Sequence, residues 1–226
     1  MKWLNKLERK LGRYYISNLM LYIVIGTVVV FAFSYLLPET PIASYISFER
    51  DMIFKGQIWR IISFIFMPYS FSPIFMLISG YFYYSIGTAL ENAWGGFRFN
   101  VFYFVGVIAT IIGGFITGYA TCHYLNLSLF LAYAALFPNQ TFLLFFVIPI
   151  KAKYIAYIDA AFLFLEFLTT PIWSYRIAII IAFVNFFLFF GGAFFRKIRD
   201  HFKYAKMRKN FKIEMSRRRM DDEDDD

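Results

Sequence analysis

Long apolar runs separated by clusters of charge constrain this chain more than any other feature. A helix of about 20 apolar residues crosses the hydrocarbon core, and hydrocarbon offers no partner to a backbone that is not hydrogen-bonded within the chain. Of the 226 residues, 60% are hydrophobic and only 17% are charged, against about a quarter charged in soluble domains. We therefore predict an all-α, polytopic membrane protein.

Six runs are long enough, or nearly long enough, to span. They cover approximately residues 19–37, 72–90, 99–119, 123–137, 154–168 and 172–195. The first follows a basic head but is too long for a signal peptide and lacks a small-residue cleavage site, so we expect a retained anchor. The predicted organisation is a basic N-terminus (1–18), a six-span membrane domain (19–195) and a basic tail with an acidic end (196–226).

Two further segments do not fit a span. Residues 39–70 are too polar to cross and too apolar for a free loop, so we predict an interfacial, partly helical hairpin. Residues 142–150 are apolar but too few to cross as a helix, which indicates an interfacial or re-entrant piece. The polar turn at 91–96 is predicted to end the second span.

The charge pattern orients the chain. Placing both termini in the cytoplasm puts the basic head, Arg98, Lys151, Lys153 and the tail inside, whereas the loop at 39–70 has equal numbers of acidic and basic residues. Residues 196–219 contain eleven Lys or Arg and are predicted to lie on anionic lipid. The net charge of +8 does not indicate nucleic acid, because no folded reader motif accompanies it. We expect a bacterial plasma membrane, although an endoplasmic reticulum membrane fits the charges equally well.

Four motifs follow one another between residues 55 and 155. They are G-Q-I-W-R-I-I-S-F at 56–64, G-T-A-L-E at 87–91 continued by W-G and R-F up to 99, a third span with glycines at 106, 113, 114 and 118, and L-F-P at 136–138 followed by I-P-I-K-A-K at 148–153. The set resembles rhomboid intramembrane proteases and their inactive relatives, the derlins among them. The resemblance implies a rhomboid-like bundle of six transmembrane helices with an interfacial first loop.

The motif residues also have physical interpretations of their own. Gln57, Trp59 and Arg60 suit a client- or lipid-facing interface, where the indole bridges apolar and wet zones and the guanidinium binds phosphate or loop carbonyls. Glu91 and Arg98 are predicted to pair or to close the turn through a hydrogen-bond cluster. The small residues spaced four apart at 109/113 and 114/118 are typical of close helix packing.

The protease chemistry that the resemblance implies is missing from the sequence. Rhomboid proteases use a Ser in a G-x-S-G motif at the head of span four and a His in span six, because a serine hydroxyl needs a base. Ser128 is the weak catalytic candidate, but it lacks flanking glycines, and residues 172–195 contain no His. His123 lies five positions before Ser128, on a poorly matched face of a helix, and His201 lies in the tail.

Four polar residues within the last two spans form the remaining candidates. We predict structural pairing of Glu166 with Arg176, pairing of Asp159 with Lys153 or the tail, and a hydrogen bond from Asn185 to a neighbouring helix. A single Cys excludes an intramolecular disulfide and a Cys-based metal site, and we predict no metal or cofactor.

Three functions follow from these observations. The first is an inactive rhomboid-like protein that holds transmembrane segments of other proteins or perturbs local lipid. The second is a rhomboid-type serine endopeptidase with a divergent site at Ser128. The third is a small transporter or channel with a polar path through Asp159, Glu166, Arg176 and Asn185, although no inverted repeat supports it.

Overall fold

The computed structural model describes residues 2–144, 148–191 and 207. In chain order its elements are α1 (Lys2–Leu11), α2 (Leu19–Leu36), α3 (Ile42–Ile46), β1 (Phe48–Glu49), α4 (Arg50–Phe54), α5 (Arg60–Ser63), a 3₁₀ turn (Phe64–Phe66), α6 (Pro73–Trp94), α7 (Gly96–Thr117), β2 (Tyr119–Ala120), α8 (His123–Leu136), β3 (Thr141–Leu144), β4 (Ile148–Lys151), α9 (Ala152–Thr169) and α10 (Trp173–Gly191). All contacts below lie within the unit formed by residues 1–189.

Within the described residues, α2, α6, α7 and α10 are long and apolar enough to cross a membrane. The chain is therefore a mostly helical, multi-pass membrane protein. Helix α8 has 14 residues, or about 21 Å at 1.5 Å per residue, which is short of a hydrocarbon core of about 30 Å. Helix α9 has 18 residues but carries Lys153, Asp159 and Glu166. These two helices correspond to the fourth and fifth predicted spans.

The helix ends match the sequence prediction closely, with one correction. The turn at 91–96 does not stop α6 at Leu90, because Glu91 and Ala93 are good helix formers and the helix continues to Trp94. The break comes at Gly95, whose φ of 87° is a backbone conformation that glycine adopts without steric cost. The sixth predicted span begins as expected, but residues 192–195, like the tail from 196, lie outside the described part apart from residue 207.

Contacts between elements show that the helices alternate in direction. At one end, which we call the N-terminal end, the Asn18 amide donates to Glu91 Oε1 over 2.9 Å and the Trp3 ring lies 5.7 Å from that of Phe189. At the other end, the loop end, β1 pairs antiparallel with β2. Each long helix therefore connects the two ends.

Helix α8 is the most enclosed helix. Ten of its 14 residues are buried, and it packs against α6, α7 and α9. Helix α6 packs in addition against α2 and α7. Because α8 is surrounded by other helices, its length need not match the thickness of the bilayer.

The described residues of the apolar segment at 142–150 are not helical. They belong to an antiparallel hairpin of β3 and β4, which connects α8 to α9 at the N-terminal end. Neither described strand is a helix long enough to cross a membrane. The segment at 39–70 is partly helical, as predicted, and also contributes strand β1.

One predicted packing motif is wrong and the other is supported. Gly114 and Gly118 do not pack against a helix: a β-carbon on Gly114 would lie 2.6 Å from the Phe48 ring and 2.7 Å from the Ala120 side chain. Gly118 instead ends α7 with a φ of 93°. At Gly113 the added carbon would meet Ile181 of α10 at 2.5 Å, so this glycine does permit close helix packing.

Two glycines of α6 that face α2 give a matched stability test. A β-carbon on Gly87 would lie 2.4 Å from Cβ of Met20, whereas one on Gly80 would lie 3.4 Å from Cγ1 of Val24. We expect Gly87→Ala to lower the free energy of unfolding by about 1–3 kcal/mol through overpacking. Gly80→Ala should leave it unchanged or raise it by up to about 1 kcal/mol. Titration with a denaturing detergent, followed by circular dichroism, measures both, and equal effects would contradict the α2–α6 packing.

Candidate functional site

The segment at 39–70, which forms the loop end, is built around a buried arginine. Arg60 is only 4% exposed, and its Nη1 donates to the carbonyl oxygens of Ser44 (2.5 Å) and Ser47 (2.7 Å). Its Nε donates to Gln57 Oε1 over 2.6 Å, which fixes the plane of the guanidinium. A buried guanidinium is tolerated because strong acceptors surround it.

Neighbouring side chains of the same motif bind the carbonyls between these two. Trp59 Nε1 donates to the Tyr45 carbonyl over 3.1 Å, and Ser63 Oγ donates to the Ile46 carbonyl over 2.9 Å. The carbonyls of residues 44–47 lie at the C-terminal end of the short helix α3. The last carbonyls of a helix lack partners within it. The W-R-x-x-S spacing therefore supplies one donor group to each of four consecutive carbonyls.

This arrangement decides between the two predicted roles of Arg60. Its guanidinium binds loop carbonyls and is too buried to bind a lipid phosphate. Trp59 remains 54% exposed while its indole nitrogen is bonded to Tyr45, so the ring can lie at the membrane interface, as predicted.

The loop is fastened to the end of α7. Phe48 is fully buried and packs edge-on against Phe64 and Phe115, with ring centroids 5.6 and 5.3 Å away. The Arg50 amide donates to the Gly118 carbonyl over 3.0 Å. Strand pairing and this aromatic cluster together hold the loop against the helix bundle.

An apolar ledge projects from the fastened loop. It consists of four side chains that are more than half exposed: Phe54, Ile58, Trp59 and Ile62. Large exposed apolar side chains are costly in water, so the ledge is suited to the lipid interface or to another apolar segment.

Glu91 and Arg98 close the opposite end, but not as the predicted pair. Glu91 accepts the Asn18 amide at the start of α2. Arg98 forms a 2.6 Å ion pair with Glu8 of α1 and contacts Asn5 Oδ1. The hydrogen-bond cluster expected at this turn exists, but α1 supplies the acid because it packs against the beginning of α7.

The predicted Glu166–Arg176 pair is also absent. Glu166 Oε1 accepts a 2.5 Å hydrogen bond from the Tyr124 hydroxyl of α8. Arg176 Nε donates to the Thr170 carbonyl over 2.9 Å, and its guanidinium lies 5.7 Å from the Trp173 ring centroid. The short α9–α10 connection is therefore closed by a main-chain contact, and the carboxylate of Glu166 joins α9 to α8.

Asn185 does not form the predicted hydrogen bond to a neighbouring helix. It is 2% exposed, and neither of its amide atoms has a partner among the described residues. A β-carbon on Gly106 would lie 2.8 Å from Asn185 Nδ2 and 2.2 Å from Leu125 Cδ1. At this point α7 presents a glycine to Asn185, which offers no side chain to bind the amide.

Asp159 faces a gap rather than a cation. Lys153, its predicted partner, instead lies 5.0 Å from the Tyr154 ring centroid, and the tail lies outside the described residues. Asp159 Oδ2 is buried with no partner in the described part of the chain. Across the gap, the hydroxyl of Tyr83 on α6 lies close enough to Asp159 for the two groups to interact electrostatically.

The gap lies between α6 and α9. Each of these helices packs extensively against α8, but they make few contacts with one another. On the α6 side, the Tyr83 ring packs against Tyr69 with 4.7 Å between centroids. The gap thus combines an apolar wall, formed by α8, with two polar groups, Tyr83 and Asp159. We call it the α6–α9 gap.

Ser128 lacks the surroundings of a nucleophile. It is fully buried, and its Oγ donates to the Leu125 carbonyl over 2.7 Å. His123 lies exposed in the first turn of α8, with no contact to Ser128 among the described residues. Burial raises the pKa of the neighbouring Cys122 thiol above its ordinary value, so this residue also stays protonated at neutral pH.

Sequence reasoning missed several residues that organise these regions. Asn100 binds the backbone of Ile16, Tyr124 and Glu8 partner two of the predicted charges, and Tyr83 lies near Asp159. Asn100 and Glu8 are polar residues within or beside apolar helices, which was a usable signal. The tyrosines gave none, because the chain contains 17 of them. No group of three metal-ligating side chains occurs in the described ranges.

Comparison with known proteins adds no identification. The chain matches no protein-family model, and no curated protein matches it.

Arg60→Leu tests the carbonyl cluster. Removing donors from buried carbonyls costs about 1–3 kcal/mol, so we expect the amides of Ser47 and Arg50 to exchange hydrogen roughly 5- to 150-fold faster. Hydrogen exchange followed by mass spectrometry reports this. Lys55→Leu, at an exposed position of the same loop, is the control and should leave exchange unchanged. Equal protection in both variants would contradict the role of Arg60.

A second test asks whether Ser128 is an activated nucleophile. We expect a serine-directed fluorophosphonate to leave the reconstituted protein unlabelled, because Ser128 is enclosed and has no base. A rhomboid protease labelled under the same conditions is the positive control. Labelling that disappears in Ser128→Ala would contradict this conclusion.

Proposed function

We propose that this chain is a rhomboid-like membrane protein without protease activity, which holds transmembrane segments of other proteins in the α6–α9 gap. In this proposal α8 and α9 complete a set of six spans. The observation that carries it is the gap itself, where α6 and α9 both pack on α8 but make few contacts with one another.

The polar groups of the gap support a protein segment as the occupant. The carboxylate oxygen of Asp159 is buried without a partner in the described chain, and an unpaired polar group in a membrane interior is unfavourable. A client helix with a donor at the same depth would satisfy it, whereas an acyl chain offers no donor. Asp159 lies seven residues from the start of α9, or about 11 Å along the helix.

The loop with its apolar ledge supports the same function. Because Arg60 and the β1–β2 pairing hold the loop in place, the ledge remains fixed beside the end of α7, where the Phe54 ring lies 6.0 Å from that of Phe115.

The absence of an activated nucleophile at Ser128 supports holding over cleavage. No described feature favours the protease alternative. The transporter alternative lacks a continuous polar path, because Glu166 is bonded to Tyr124 and Arg176 to a main-chain carbonyl.

Charge supports the proposed orientation. The described basic residues at the N-terminal end are Lys2, Lys6, Arg9, Lys10, Arg13, Arg98, Lys151 and Lys153, beside the acidic residues Glu8 and Glu91. At the loop end, four basic residues are offset by four acidic ones: Arg50, Lys55, Arg60 and Arg176 against Glu39, Glu49, Asp51 and Glu166. This excess favours a cytoplasmic N-terminal end.

Photocrosslinking from α6 tests the function. Benzoylphenylalanine replaces Tyr83 in the gap or, as a matched control, Tyr81, which is 73% exposed and about 160° away around the helix. The reconstituted protein is mixed with designed apolar segments that carry one Lys at the depth of Asp159, or none. We expect the Lys segment to crosslink from position 83 about tenfold more than the apolar segment, because a charged hydrogen bond contributes about 1.5–3 kcal/mol.

Asp159→Asn should remove most of that preference without removing capture. The proposal is contradicted if neither segment crosslinks from position 83, or if both crosslink equally from positions 83 and 81.

A further inference from the structure

A second groove, separate from the α6–α9 gap, runs along the outer face of α7. It has a volume of about 590 Å³ and begins at Arg13 and Tyr14, in the connection between α1 and α2. Its floor continues along α7 through Phe97, Val101 and Ile108. One end is therefore basic and aromatic, and the remainder is apolar.

The length of the apolar part matches one leaflet. Phe97 and Ile108 are eleven residues apart, which is about 17 Å along a helix. Half of a hydrocarbon core of about 30 Å is about 15 Å. An acyl chain that starts at the N-terminal end would thus fill the groove down to the bilayer midplane.

The basic end has unmatched positive charge. Arg13 is exposed, and the ion pairs among the described residues are Arg50–Asp51 and Arg98–Glu8. Glu8 is the only acidic residue among positions 1–18, and it is paired with Arg98. The Arg13 guanidinium is therefore available to an anion at the level of the lipid headgroups.

The connection that carries Arg13 is already held in place. Asn100 Oδ1 accepts the Ile16 amide, and Asn100 Nδ2 donates to the Ile16 carbonyl, both over 2.9 Å. Arg98 ties α1 to α7 through Glu8 over 2.6 Å. The groove is thus formed by the fold itself and does not need a ligand to order it.

We propose that this groove binds one anionic glycerophospholipid from the leaflet on the N-terminal side. The phosphate lies against Arg13, with Tyr14 at the interface, and one acyl chain lies along α7 between Phe97 and Ile108. Charge complementarity and the one-leaflet length select this occupant. A second copy of the chain would not explain the basic end, since the exposed surface of α1 is itself basic.

Native mass spectrometry of the intact protein in neutral detergent tests the site. The protein is incubated with phosphatidylglycerol or with phosphatidylcholine, and bound lipids are counted. We expect one tightly retained phosphatidylglycerol. Arg13→Gln should weaken its binding about fivefold, as expected for the loss of one charge near the headgroup. Val101→Trp should fill the groove and abolish retention of both lipids.

Lys6→Gln is the matched control, because Lys6 is exposed on α1 and lies outside the groove. In neutral detergent there is no charged surface, so this variant should retain the lipid as the unchanged protein does. Equal losses from Lys6→Gln and Arg13→Gln, an unchanged lipid count in Val101→Trp, or a dimer that excludes lipid would each overturn the proposal. Arg13 is exposed, so its substitution leaves the packed core intact.

Discussion

Every backbone amide and carbonyl of this protein that lies in hydrocarbon needs a partner within the chain. The long helices satisfy most of these groups internally. The region between α2 and α6 is only partly helical, and there side chains must take over. Arg60, Trp59 and Ser63 do so by donating to the carbonyls of residues 44–47, and the rest of the loop end depends on this cluster.

A fixed loop has consequences for the helices behind it. Pairing of β1 with β2 joins the loop to the end of α7, and β2 leads directly into α8. Helix α8 is thereby held in the interior, where it supports α6 and α9 without bringing them together. The α6–α9 gap follows from this arrangement. The groove at Arg13 is formed independently at the opposite end, where Asn100 and Arg98 bind the N-terminal segment to α7.

Hydropathy located the long helices to within a few residues, because length and apolar composition alone define a span. The residue type of Arg60 permits two roles, binding of a phosphate or binding of loop carbonyls, and the sequence alone did not choose between them. Pairings between distant polar residues could not be predicted. Glu91 and Arg98 are neighbours in sequence, yet each binds the N-terminal segment, and Glu166 binds a tyrosine on another helix. Such choices depend on which helix faces which, and a single sequence with many aromatic residues does not specify that.

The proposed function requires that a transmembrane segment occupies the α6–α9 gap. Cryo-electron microscopy of the protein in lipid nanodiscs, with and without a designed segment covalently trapped at position 83, tests it most directly. We expect an additional helix between α6 and α9, in contact with α8, and a loop around Arg60 that is unchanged between the two samples. Direct packing of α6 against α9 in both samples, with the segment elsewhere on the surface, would contradict it.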